Sequence, residues 1–297
     1  MYKTAYHRAK ARQNMEDALL ILREGAVTQL AHGQITCGVE LGMLLVETYT
    51  TASTPADEAS VSRLLDIINA FPPPGQAAGA AGSAAASAAA SSSSPVVDEC
   101  ARFVAACVKW AQKAGAVVSS RRLHSAFASY LWKRFGPESL GRALQHFVRG
   151  DDAEGFAQAL HACAAAGPRA EVDLWLLRAL LQVLSAATSH SRMAQLAHAR
   201  STYDAFLARS GPIDTPTARF TELTLLALEH LALSPRAHDM LVLAREKYGD
   251  GVLRRDGSLA PMLERVETLY FNVRRGGAGG PLGGLFGDLF KSLAEAH

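Results

Sequence analysis

Apolar residues recur every three or four positions along most of this chain and almost nowhere alternate, so the pattern predicts helices and no convincing strand. Between Asp17 and Ala31 one stripe carries Leu19, Leu22, Ala26 and Leu30 and ends at Gly33. The stretch from Val39 to Tyr49 repeats it with Met43, Val46 and Tyr49, and the stretch from Ala59 to Phe71 with Val61, Leu64, Leu65 and Ile68. Farther on, 96–114 aligns Phe103, Cys107, Trp110 and Ala114, and 123–135 aligns Phe127, Tyr130 and Leu131 before Gly136-Pro137. Helices follow over 138–148, 151–166, 170–187, 191–209, 217–233, 236–248 and 259–273, bounded by the Gly, Pro and Ser residues that helix ends favour. Segments 172–184 and 220–231 are apolar nearly all round, so other helices must cover them on several sides.

Short helices joined by tight turns, with no heptad register, describe stacked antiparallel helix pairs that bury their faces only against their neighbours. The expected fold is therefore all-α, a TPR-like α-solenoid, and its repeats are degenerate because no fixed-period consensus can be read. One interruption is plain. Pro72-Pro73-Pro74-Gly75 opens a Gly/Ala/Ser tract reaching Ser94-Pro95, where prolines stop the preceding helix and no apolar face remains to dock. The expected plan is a first part of the solenoid over 1–71, a disordered insertion over 72–95 and the rest of the same solenoid over 96–273. A Gly-rich hinge with a terminal short helix over 274–297 completes it, carrying Leu285, Phe286, Leu289 and Phe290.

Composition sharpens this picture at a few points. Hydrophobic residues make up 49% of the chain, enough for a real core, and much of that fraction is alanine. The formal charge of +2 is too balanced for a nucleic-acid binder held by phosphate contacts. Its distribution is uneven: Lys3, Arg8, Lys10 and Arg12 crowd the first fifteen residues. Glu16, Asp17, Glu24, Glu40, Glu47, Asp57, Glu58 and Asp66 then stand against only Arg23 and Arg63 up to residue 71. That bias suits a basic partner surface, although a solvated helix face produces it as well.

The four cysteines show no paired spacing, and Cys100 and Cys107 share a helix face as small core residues, which fits a reducing, cytosolic setting. No secretory signal is expected, since the apolar run from Ala18 to Leu22 is too short. The basic start is a poor mitochondrial presequence, because acids follow at once and serine is missing from it. The most apolar segment, 172–187, holds Asp173, Arg178 and Gln182 and is shorter than the ~20 residues of a membrane span.

The chemistry-bearing motifs are missing: no HExxH, no phosphate-binding GxxxxGK[ST], no GxSxG elbow and no zinc-ligand spacing. His161 and Cys163 fall on different helix faces, and Asp151-Asp152 reads as a helix cap and first-turn acid. The glycines between 276 and 287 have no preceding strand, which a dinucleotide fingerprint requires. The chain is thus expected to be no enzyme, with no catalytic residue, cofactor or metal, and to act by binding other proteins.

Several stretches together resemble the Golgi to ER traffic protein 4 family. They are Met1-Tyr2-Lys3-Thr4, Glu24-Gly25-Ala26 with His32-Gly33-Gln34, and Glu40-Leu41-Gly42-Met43-Leu44-Leu45-Val46-Glu47. The helix from Leu123-His124 to Leu131-Trp132-Lys133, Ala170-Glu171-Val172-Asp173 and Leu269-Tyr270-Phe271-Asn272-Val273 follow, closed by Gly283-Gly284-Leu285-Phe286-Gly287-Asp288-Leu289. No single motif is diagnostic; their shared order across the chain carries the resemblance. It implies a cytosolic adaptor that helps deliver tail-anchored membrane proteins to the endoplasmic reticulum. The N-terminal helices would dock on an arsenite-transporter-like targeting ATPase. The C-terminal helices would hold a ubiquitin-like-domain protein or a larger chaperone-type subunit, with no nucleic-acid partner and no direct membrane insertion.

Carried over residue by residue, the family's pair of ATPase-contacting acids falls on Glu40 and Glu47. Seven residues span nearly two helical turns, so both carboxylates would leave the same face. For the second partner only a region is implied, a hydrophobic groove written with Phe206, Phe220, Leu223, Leu226, Leu263, Tyr270 and Phe271. The resemblance begins inside the family's second helix, so the family's first helix would lie before Met1. It also departs after Val273, where Arg274-Arg275-Gly276-Gly277 replaces a Pro/Lys/Gln stretch. The competing reading is another helical-repeat scaffold, TPR-like or resembling a proteasome-lid subunit.

Overall fold

The structure, a computed structural model, describes residues 1–73 and 95–273, and among them every regular element is helical. The N-terminal part holds α1 (Tyr2–Ala11), α2 (Met15–Ala31), α3 (Ile35–Thr51) and α4 (Glu58–Asn69). Next come α5 (Pro95–Lys113), α6 (Val117–Phe135), α7 (Leu140–Arg149), α8 (Ala153–Ala166) and α9 (Val172–Ser185). The chain then continues through α10 (Arg192–Ser210), α11 (Pro216–Glu229), α12 (Ala237–Ala244) and α13 (Leu259–Phe271). The expected insertion and the expected hinge with its terminal helix lie outside the described residues, save for residues 72, 73 and 95.

The ends obey local chemistry. Asp57 Oδ1 accepts the Ser60 N–H at 2.9 Å and Asp152 Oδ1 the Gly155 N–H at 2.8 Å, so each satisfies a donor the first turn leaves open. Thr215 caps α11 in the same way, with Pro216 at the first helical position. Gly136 closes α6 at φ +63°, a conformation that costs a side chain steric energy.

Helices pack on the next in sequence and on the next but one: α2 on α3 and α4, α3 on α5, α4 on α6, α8 on α10, α9 on α11. That recurrence is what a stack of antiparallel hairpins produces, because like members of successive pairs fall side by side. The last described helix, α13, breaks the pattern by folding back onto α9. As a result α9 is wrapped by α7, α8, α10, α11 and α13, which is why Leu174, Leu176, Leu177, Ala179, Leu180, Leu181, Val183 and Leu184 are all buried.

Two knots hold the stack. In the first, Phe71 leaves the end of α4 and enters a ring cluster with Phe103, Phe127 and Tyr130, at centroid separations of 6.1, 6.1 and 5.2 Å in edge-to-face geometry. The Tyr130 hydroxyl donates to the Pro72 carbonyl at 3.0 Å, fixing where the chain leaves α4. In the second, the Asp173 carboxylate, 5% exposed, receives Arg255 at 2.9 and 3.0 Å and Thr215 at 2.7 Å. Arg255 also donates to Thr217 and to the Ala170 carbonyl, each at 2.6 Å.

The structure differs from the sequence reading in three places. A separate helix, α1, precedes the first predicted one, because a single buried residue, Tyr6, leaves it almost no apolar stripe. Helix α6 starts six residues before the expected 123, with Ser119 Oγ anchoring its first turn to the Ala56 carbonyl at 2.9 Å. The expected helix over 236–248 is α12 followed by a π turn, Arg245–Gly249, and a last α turn, Asp250–Leu253. The widened turn carries Arg245 to the buried Glu267 at 3.2 Å.

Candidate functional site

Helix α3 presents Glu40 and Glu47 to solvent while Val39, Leu41, Leu45, Val46 and Tyr49 face inward. The heptad spacing puts the two carboxylates on one side of the helix, about 10 Å apart along its axis. Helix α1 lies across this neighbourhood and is tied down by a hydrogen-bonded relay. Thr48 Oγ1 donates to the Leu44 carbonyl at 2.7 Å, so the Tyr6 hydroxyl, 2.9 Å away, donates to Thr48 and in turn accepts from Lys10 Nζ at 3.3 Å. Close approach of α1 also depends on Gly25, where an added Cβ would lie 2.7 Å from the Tyr2 ring.

The relay brings Lys3 to Glu40 at 2.6 Å, and the hydrogen bond and charge of Lys3 hold the Glu40 carboxyl below its ordinary range. Both groups are half exposed, so this pair contributes little to stability and yields easily to a competing cation. The other acids of the segment are mostly engaged within the chain. Glu24 and Asp66 share Arg23, Glu58 pairs with Arg122, Asp17 receives the Asn14 side chain, and Asp57 caps α4. Glu16 and Glu47 are exposed without a charged partner among the described residues. Lys3 was invisible as Glu40's partner in the sequence because thirty-seven positions separate them.

The C-terminal groove does not form as written. Phe206, Phe220 and Leu263 are fully buried and Tyr270 is 3% exposed, all in the chain's own core; Leu223, Leu226 and Phe271 are half-buried. Phe206 meets His161, Tyr270 donates its hydroxyl to the Arg192 carbonyl at 3.1 Å, and Phe271 lies 5.0 Å from the His238 ring. The apolar surplus expected to await a partner is consumed by α8 to α13 closing on one another. Among the described residues of this half the large apolar side chains most exposed are Leu233 at 79%, Met193 at 64% and Leu243 at 63%.

The titratable side chains report packing. Burial pushes the Cys100 thiol up to about 12 and the Cys107 thiol well above its ordinary value, as core residues require, while Cys37 is exposed. His124 and His146 meet Nδ1 to Nδ1 at 2.9 Å; burial first, and neighbouring positive charge second, push them down to about 4 and about 3. Among the described residues no three His, Cys, Asp or Glu side chains converge as metal ligands, and no helix is long and apolar enough to cross a membrane.

Comparison with known proteins gives one consistent answer. The sequence profile of the family described as Golgi to ER traffic protein 4 matches residues 12–290. Protein GET4 of Arabidopsis thaliana is 28% identical, over 99% of this chain and 89% of its own length. The Golgi to ER traffic protein 4 homolog of Homo sapiens is 25% identical, over 99% of this chain and 80% of its own. Among solved structures, the crystal structure of C. therm. Get4 superposes with a TM-score of 0.71, covering 97% of this chain and 87% of that one at 22% identity.

Proposed function

Since the chain belongs to the Golgi to ER traffic protein 4 family, we propose that it is a cytosolic adaptor in the targeting of tail-anchored membrane proteins to the endoplasmic reticulum, without catalytic activity of its own. The N-terminal helices receive an arsenite-transporter-like targeting ATPase, and the C-terminal helices receive a ubiquitin-like-domain protein or a larger chaperone-type subunit. The observation that carries the reading is the placement of Glu40 and Glu47 on the outer face of α3, with Glu47 uncommitted to any described cation and Glu40 held only by a half-exposed lysine. Such a pair meets a basic strip as charge-assisted hydrogen bonds.

Titrating the ATPase into the Glu40→Lys/Glu47→Lys variant is expected to show binding weakened by about tenfold or more. The loss of affinity with salt seen with the unaltered protein flattens or reverses as well, since the attraction that salt screens has become repulsion. Glu47→Lys carries the larger share, because reversing Glu40 also releases Lys3. Equal affinity and an unchanged salt slope in the double variant would remove the assignment. For the second partner, Leu233→Glu/Leu243→Glu is expected to weaken the ubiquitin-like protein while ATPase binding stays intact. Retention of both partners would move that interface elsewhere.

A further inference from the structure

Three adjoining hollows run between α5, α6, α7, the end of α9, the start of α10 and α13, and all three are lined by Arg149. The first adds Arg121, the second Lys109 and the third Arg265. Among the described residues no carboxylate lines any of them. None of the four cations forms an ion pair among the described residues, whereas on neighbouring faces of α6 and α7 Arg122 is paired with Glu58 and Arg142 with Asp98. Three of the four are held in place by neutral groups instead. Arg121 donates to the Gln195 side chain at 3.1 Å, Arg149 to the Gln145 carbonyl at 3.1 Å and Arg265 to the Ser185 carbonyl at 2.6 Å. The acid whose field reaches Arg121 is Asp151, and it accepts from Ser125 Oγ at 2.6 Å. In a chain of formal charge +2, this gathers four cations that no described carboxylate pairs into one furrow.

The furrow has a small apolar side too: Val117, 45% exposed, and the half-buried Ala186 stand at its edge, and over the fully buried Val104 its floor shows only the rims of Val108 and Val148, 8% and 6% exposed. Among the described residues its lining contains no Phe, Tyr or Trp on which bases would stack, which disfavours single-stranded nucleic acid. The parts of this chain outside the described residues do not supply the missing charge. Residues 74–94 contain no acid, and residues 274–297 set Arg274, Arg275 and Lys291 against Asp288 and Glu295.

From this we infer that the furrow centred on Arg149 is a third binding surface, taking an acidic segment of a partner protein whose apolar side chains rest on the valines while its carboxylates meet Lys109, Arg121, Arg149 and Arg265. It is centred on α5, α6 and α7, away from Glu40, Glu47, Leu233 and Leu243, and only its far wall, at the start of α10 and on α13, belongs to the C-terminal helices. Its energetics follow from charge complementarity over a partly apolar floor, which favours specificity and fast association more than great affinity.

The test is selection of a random peptide library displayed on phage against the immobilised full-length chain, with Lys109→Glu/Arg149→Glu/Arg265→Glu in parallel. All three side chains are exposed, so the variant keeps its helical circular dichroism. Peptides recovered on the unaltered chain are expected to be net acidic with interspersed apolar residues. A labelled one should lose about tenfold or more of its affinity on the variant and a smaller factor on Lys109→Gln/Arg149→Gln/Arg265→Gln. The inference is overturned if recovered peptides carry no acidic bias or bind the variants equally well. It is overturned equally if a single-stranded oligonucleotide binds more tightly than the peptides, or if sedimentation shows that the unaltered chain self-associates and the charge-reversed variant does not.

Discussion

Phe71→Ala is expected to cost about 4 kcal/mol and to lower the thermal midpoint of the N-terminal helices by roughly 10 °C. The ring is 2% exposed and touches Phe103 of α5 and Phe127 and Tyr130 of α6, so its removal leaves a void bounded by three further aromatic rings. Those rings cannot close the void without also giving up the Tyr130 bond to the Pro72 carbonyl. The loss should be local in origin. In a stack whose members touch mainly their neighbours, weakening one junction uncouples what lies on either side. A melt followed by circular dichroism should therefore broaden or split, with Phe71→Leu falling between the variant and the unaltered chain. A midpoint within about 2 °C of the parent would show that the cluster is not the clamp described.

Removing the other half of a buried charge pair has a comparable effect. Arg255→Ala is expected to destabilise by about 3 kcal/mol, the low end for breaking such a pair because the Arg255 side chain is itself 30% exposed. The variant leaves Asp173 buried, with Thr215 as its remaining side-chain donor. The pair also predicts a pH dependence. Burial opposes ionisation of Asp173 most strongly, yet the hydrogen bonds from Arg255 and Thr215 and the charge of Arg255 outweigh it and hold the carboxyl below its ordinary value. A carboxyl depressed by folding contributes stability that is complete above its unfolded value, about 3.9, and disappears as pH falls through the lower folded value. Urea midpoints measured between pH 6 and pH 3 should fall less steeply for Asp173→Asn, already weakened at neutral pH, than for the unaltered chain. Parallel slopes would show that this carboxylate is not linked to acid unfolding.

Much of the architecture was legible because amphipathic periodicity survives at single-residue level. The stripes through Leu22, Leu64, Phe103, Phe127 and Leu177 all point inward, and the all-round apolar reading of 172–184 anticipated a helix with neighbours on several sides. Periodicity did not show helix α1, which the resemblance alone implied, because it is held by a hydroxyl relay and one buried tyrosine rather than a stripe, and such long-range polar links leave no periodic trace. That Glu40 and Glu47 leave one side of the helix follows from their seven-residue spacing, while the choice of this pair came from the resemblance alone. The groove over Phe206, Phe220, Leu263 and Tyr270 could not, because an apolar face looks the same in sequence whether its own chain or another covers it. Which of the two applies depends on the return of α13 to α9, a tertiary event separated in sequence by more than seventy positions.

That return also sets a timetable for synthesis. Chains emerge from the ribosome N-terminal end first at about 5–20 residues per second, and units fold as they are completed. Helices α1 to α5 have their partners by the time α6 is made, so the acidic outer face of α3 exists early. Helix α9 emerges with its leucines and must wait for residues 259–271 before its last side is sealed. For those seconds the unfinished chain is itself an exposed apolar helix in need of a chaperone.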